Sequence, residues 1–120
     1  MKGEQYLNKP GQYAQVYREG GSWTDNLLVV RALASELNLS RYGISVSKRV
    51  GNAVTRNRLK RLLREISRAT PLKPGWDIVF IVRRRAATAD YAELNQSVRG
   101  ILSRAGIIAE VYEESDSGND

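Results

Sequence analysis

Between Lys48 and Arg68 the chain carries Lys48, Arg49, Arg56, Arg58, Lys60, Arg61, Arg64 and Arg68, opposed only by Glu65. Arginine presents a planar fork of N–H donors matched to phosphate oxygens. If Leu59 is placed at the centre of one face of a helix turning about 100° per residue, Leu62, Leu63 and Ile66 share its side. Asn57, Arg61, Arg64 and Arg68 fall on the opposite side, and Arg56, Arg58 and Lys60 flank the apolar stripe. A row of guanidinium groups one turn apart can follow a nucleic-acid backbone, with Asn57 adding a neutral donor and acceptor. A helix face built only for solvation mixes its signs; this one does not.

Two further groups could contact a polyanion. Tyr13 and Tyr17, with Arg31 near them in the expected strand pairing, could stack unpaired bases, or could be amphipathic core residues with hydroxyls at the rim. Arg83, Arg84 and Arg85 leave an apolar strand together, and read equally as phosphate contacts or as a solvated loop. Catalytic constellations are poor. There is no histidine to activate a serine and no cysteine for thiolate or disulfide chemistry. Asp77, Asp90 and Glu93 have no metal-ligand spacing, and Gly51-Asn52 is not a P-loop. No metal and no bound cofactor is expected in the polypeptide.

The charge distribution sharpens this reading. The net charge is +6 over 120 residues, yet nine Lys/Arg and one acid lie between Arg41 and Arg68. The remainder of the chain is slightly acidic. Such a local excess points to a polyanionic partner, nucleic acid before anionic membrane. No apolar run approaches a membrane span, and MKGEQYLNK lacks the apolar core of a signal peptide, so a cytoplasmic protein is expected.

The elements that must position these groups follow in order. Met1 to Asn8 reads as a loose lead-in. Pro10 suits the first turn of a helix carrying Tyr13, Val16 and Tyr17 and stopping at Gly20-Gly21. Strands are expected over about Leu27 to Leu33 and over Arg41 to Ser47, close enough in sequence to pair antiparallel. Asn52 or Thr55 caps the basic helix, and Thr70-Pro71 ends it. Ile78-Val79-Phe80-Ile81-Val82 reads as a central strand covered on both faces. Asp90 and Glu93 form a capping box before the stripe Leu94, Val98, Ile101, Leu102 and Ala105, and Gly106 closes that helix. Ile107 to Tyr112 suggests a short edge strand, and the acidic residues from Glu113 a disordered tail. The order predicts a single-domain α+β fold: an α/β sandwich over residues 1–112 with one small mixed sheet, then a tail over 113–120.

The run Ser45 to Glu65, SVSKRVGNAVTRNRLKRLLRE, closely resembles the signature of the bacterial ribonuclease P protein subunit. Gly51-Asn52-Ala53-Val54 and Arg56-Asn57-Arg58 match it in order and spacing, followed by Lys60-Arg61 and Arg64. The resemblance extends more weakly over most of the chain, through the Tyr13-to-Gly20 helix, the strand ending in Arg83-Arg84, and Asp90 to Glu93.

The resemblance implies a ribonucleoprotein endonuclease that removes the 5′ leader from precursor tRNA. Its RNA subunit holds the catalytic magnesium ions, and the protein assists. It implies an α+β fold with a left-handed βαβ crossover, where the general rule would give a right-handed one. Matched by position, Lys48, Arg49, Asn52, Arg56, Asn57, Arg58, Lys60, Arg61 and Arg64 would contact the RNA subunit, and Arg68 continues the same face. Tyr13 and Tyr17 would line a cleft for the single-stranded leader, with Arg83 and Arg84 at the end of the central strand. Arg31 falls where the family commonly has an aromatic, so a phosphate contact replaces stacking there. A free monomer is expected. A plain RNA-binding module and a DNA-binding helix are the rival readings. The second lacks a helix-turn-helix pair, and a membrane-surface helix would need the apolar face that the core uses.

Overall fold

The computed structural model describes residues 6–109. Helix α1 (Pro10–Glu19) is followed by strands β1 (Gly21–Thr24), β2 (Leu28–Ala34) and β3 (Arg41–Ser45). Helix α2 (Ala53–Ala69), strand β4 (Trp76–Val82), a short 3₁₀ helix (Arg84–Thr88) and helix α3 (Tyr91–Ala105) complete the fold. The strands form one mixed sheet in the order β1-β2-β4-β3.

β4 owes its central place to its sequence. Ile78, Phe80 and Val82 point to one face, where Leu59, Leu63 and Ile66 of α2 and Leu94, Val98, Ile101 and Leu102 of α3 build the main core. Val79 and Ile81 point to the other face, where they meet Val16 and Tyr13 of α1, Leu7 and Leu33. A strand apolar on both sides belongs between layers. The predicted α/β sandwich is thus present, with helices on both faces of the sheet.

The expected pairing of β2 with β3 is not formed. β2 pairs antiparallel with β1 and β4, and β4 lies between β2 and β3, with β3 parallel to it. β1 itself was not expected. Its residues Gly21, Ser22 and Thr24 are exposed and only Trp23 is half-buried, so it carries little apolar signal.

The β3–α2–β4 crossover has an unusual hand. Viewed from the α2 side with β3 running upward, the Tyr42 side chain points at the viewer, into the core. In an L-residue strand that orientation sends the residue's N–H and C=O to the right. The Tyr42 carbonyl accepts from the Leu7 N–H at 2.9 Å, so the N-terminal segment lies to the right and β4 to the left. The chain rises through β3, crosses in front through α2 and returns one strand leftward. That is a left-handed unit, opposite to the prevailing rule.

The lead-in is not loose where it is described. Tyr6 bridges Tyr42, extending the sheet by one pair, and Leu7 is buried. Residues 1–5 of that segment lie outside the described residues. At the other end Ile108 makes a single antiparallel bridge to Leu72 in place of a strand. Residues 110–112 of the expected edge strand and the whole expected tail, 113–120, also lie outside the described residues.

Candidate nucleic-acid interface

Helix α2 is set by local chemistry at each end. Asn52 Oδ1 accepts from the Thr55 N–H at 3.0 Å, making Asn52 the N-cap. Thr70 closes the helix, its hydroxyl donating to the Ile66 carbonyl at 2.7 Å. Leu59, Leu63 and Ile66 are buried, while Leu62, expected in the same stripe, is only half-buried. Burying this face fixes what the opposite face shows. Asn57, Arg61, Arg64 and Arg68 are all exposed, as the wheel predicts. Among the described residues the ion pairs are Arg18–Glu19 and Arg41–Asp77, so no carboxylate neutralises the α2 row.

The flanking cations differ from the row. Arg58 turns inward, donating from Nη2 to the Ala87 carbonyl at 2.8 Å and from Nη1 to the Ala89 carbonyl at 3.0 Å. It ties α2 to the connection between β4 and α3. Arg56 Nε donates to the Gly51 carbonyl at 3.1 Å and holds the turn before the helix. Lys60 is half-buried and lines a cavity with Arg64, at the outer edge of β3.

Lys48 and Arg49 are exposed in the turn after β3. Arg49 lines one hollow of about 450 Å³ together with Arg83, Arg84 and Arg85. The parallel alignment of β3 and β4 brings their C-terminal ends side by side, which joins two cation groups that are separate in sequence. Arg83 is anchored, its Nη1 donating to the Asp25 carbonyl at 2.7 Å.

α1 is fixed at both of its ends. Gln12 Oε1 accepts from the N–H groups of Asn8 and Lys9 at 2.8 and 3.0 Å, closing its first turn. At its end Gly20 sits where a Cβ would lie 2.6 Å from the Val16 carbonyl oxygen and 2.7 Å from that of Ala32. Arg31 Nη2 donates to the carbonyls of Tyr17 at 2.7 Å and Gly20 at 3.0 Å. Cationic donors satisfy carbonyls that a helix end leaves open. Arg31 is therefore a brace for α1, and its Nη2 is already occupied where a phosphate contact was expected.

The two tyrosines of α1 part company. The Tyr13 ring lies on Gly43, where a Cβ would overlap it, and its hydroxyl donates to the Leu7 carbonyl at 3.3 Å. Burial pushes its phenol above the ordinary value. Tyr17 remains 40% exposed.

The three carboxylates weighed in the sequence have protein partners. Asp77 receives Arg41 through two hydrogen bonds of 2.9 and 2.7 Å. Asp90 and Glu93 cap α3 reciprocally, at 3.0 and 2.9 Å. Two residues of interest were not singled out from the sequence. Tyr6 falls in the lead-in and Tyr42 at a plain core position of its strand; only their long-range pairing places them beside the α2 cations.

The comparisons with known proteins agree with this geometry. A family model described as Ribonuclease P matches residues 1–106. The ribonuclease P protein component of Dehalococcoides mccartyi strain 195 is 45% identical over 120 residues, covering all of both chains. That of Clostridium kluyveri is 38% identical over 105 residues, covering 84% of this chain and 94% of its own. Among solved structures, a Staphylococcus aureus RNase P protein mutant superposes with a TM-score of 0.84 at 29% identity, covering 89% of this chain and 92% of its own. The Thermotoga maritima RNase P protein gives 0.75 at 30% identity, covering 82% and 96%. With the α+β fold and the cationic helix in place, the chain belongs to the ribonuclease P protein family, the protein component of the endoribonuclease that matures tRNA 5′ ends.

Proposed function

We propose that α2 is the principal contact to the RNA subunit and that the opposite side of the sheet receives the 5′ leader of precursor tRNA. The observation that carries this is the exposed row Asn57, Arg61, Arg64 and Arg68, which has no carboxylate partner within the described residues. Lys48, Asn52 and Lys60 extend the contact. Arg56 contributes mainly by holding the turn before the helix, and Arg58 by tying the helix to the connection before α3. Tyr17 offers a face for an unpaired base, beside Tyr13. Arg83 and Arg84 would take leader phosphates at the strand ends, where Arg85 and the subunit-contacting Arg49 line the same hollow.

The chemistry belongs to the RNA in this reading. The chain supplies no general base and binds no cofactor; the holoenzyme's magnesium ions sit on the RNA subunit. The protein neutralises phosphate repulsion between ribozyme and substrate, grips the leader and so raises substrate affinity and effective magnesium affinity. Among the described residues no helix is long and apolar enough to cross a membrane, and we place the protein in the cytoplasm as a monomer when free.

The test is precursor tRNA cleavage by a bacterial ribonuclease P RNA at low magnesium, with and without the chain. Cleavage at the mature 5′ end that needs both components is the expected result. Tight RNA binding without stimulation would leave a plain RNA-binding module. Cleavage by the protein alone would place the chemistry in the polypeptide.

A further inference from the structure

A cavity of about 420 Å³ opens at the outer edge of β3, between the N-terminal segment and α2. Tyr6, Tyr13, Tyr42, Lys60 and Arg64 line it. Lys60 and Arg64 stand one helical turn apart, so their charged ends can meet one phosphate. Tyr6 and Tyr42 pack edge to face, with ring centroids 5.0 Å apart at 68°. Tyr42 is 2% exposed, and its buried hydroxyl has no hydrogen-bond partner among the described residues. It faces the Tyr6 hydroxyl without a bond of standard geometry. A buried hydroxyl left open is uncommon in a native fold; this one is closed to solvent, so a polar group from outside reaches it only as the Tyr6 ring shifts. The Tyr42 hydroxyl, Arg68 and Arg64 together hold the Tyr6 phenol below its ordinary value, so the cavity wall is electropositive.

We propose that this cavity seats one unstacked ribonucleotide of the RNA subunit, with its phosphate on Lys60 and Arg64, its base against Tyr6, and a polar edge on the Tyr42 hydroxyl. The proposal rests on the assignment of α2 to the RNA subunit. The space lies in the range of small-ligand sites and is too small for a duplex. Proteins that read RNA do so mainly through splayed-out bases stacked on aromatic rings. Tyr13 closes the wall, its hydroxyl donating a hydrogen bond to the Leu7 carbonyl. The cavity thus adjoins the leader surface at Tyr13, while Tyr17 is outside its lining.

The experiment is a binding titration of a bacterial ribonuclease P RNA across salt concentrations with wild type, Tyr42→Phe, Tyr6→Ala and Lys60→Ala. Tyr42→Phe keeps the ring and should melt as wild type does, yet bind about two- to tenfold more weakly, the worth of one hydrogen bond. Tyr6→Ala should lose at least about fivefold, the lower end of a stacking contact, with an unchanged salt slope. Lys60→Ala should lower that slope by about one. As a check independent of the variants' folding, adenosine 5′-monophosphate should shift the backbone amide signals of Tyr42, Gly43 and Ile44 in wild type, where inorganic phosphate does not. Equal shifts with inorganic phosphate would reduce the site to an anion contact and overturn the nucleotide pocket. So would wild-type affinity in both tyrosine variants. Failure of the wild type itself to bind the RNA would overturn the α2 assignment and this proposal together.

Discussion

Arg58 and Ala87 meet across the main core: the guanidinium on α2 donates to the carbonyl of the 3₁₀ helix at 2.8 Å. Arg58 stands three residues before Arg61 in the same cationic run, yet the two do different work. Arg58→Ala removes donors from two carbonyls, those of Ala87 and Ala89, both in the connection that leads into α3. Removing a charged donor costs about 1–3 kcal/mol when the acceptor is left unsatisfied. Arg61→Ala should leave the melting temperature within measurement error and instead weaken binding to the RNA subunit, lowering the salt slope by about one. Thermal melts paired with salt-dependent binding separate the roles. Equal melting losses for the two variants would refute the division.

The apolar face makes the complementary prediction. Leu63 is fully buried between the sheet and α3, whereas Leu62 is half-buried. Leu63→Ala should destabilise the fold by roughly 2–5 kcal/mol, and Leu62→Ala by less. Once folded at low temperature, Leu63→Ala should bind RNA with an unchanged salt slope, because every exposed cation remains. Chemical denaturation checks the first half, and filter binding the second.

A third prediction concerns α1. Arg31→Ala frees the carbonyls of Tyr17 and Gly20 and loosens the helix end on which Tyr17 sits. Stability should fall by about 1–3 kcal/mol. Tyr17→Ala should cost less, about 1 kcal/mol, since the residue is 40% exposed. Both should weaken binding of leader-bearing precursor more than binding of mature tRNA. A Tyr17→Ala variant that binds the two RNAs with the wild-type ratio would remove Tyr17 from the leader surface.

These contrasts also show what was legible in the chain. The two faces of α2, the Asp90–Glu93 capping box, Gly106 in the left-handed region at φ 75° and the doubly covered β4 all follow from local spacing. Strand order does not, because β4 enters between β2 and β3 from far along the chain. β1 has little apolar alternation, and the Tyr6–Tyr42 bridge depends on a partner 36 residues away. The direction of an arginine is equally non-local. A helical wheel places Arg58 on a flank, but the carbonyls of residues 87 and 89 turn it inward. The wheel was sufficient for Arg61, Arg64 and Arg68 because all three stay exposed, with the Tyr6 phenol facing Arg68 and Arg64 from outside the core.

The last prediction is an alkaline loss of stability that depends on Tyr42. Burial pushes the Tyr42 phenol well above its ordinary value of 10.0. In the unfolded chain the phenol loses its proton near pH 10, while in the fold it keeps it. The folded state then binds more protons, so stability falls as pH rises. Its contribution is fully present below about pH 10 and is lost progressively above it, toward the raised folded value. Burial raises Tyr13 as well, with the same sign, whereas Tyr6 is lowered and acts in the opposite sense. Tyr42→Phe should therefore match wild type in denaturant midpoint at pH 7 and exceed it at pH 11. The alkaline slope should be reduced rather than abolished, because Tyr13 remains. Parallel loss of stability in the two proteins from pH 9 to pH 11 would show that the Tyr42 hydroxyl reaches solvent and is not the buried open donor from which the nucleotide cavity was inferred.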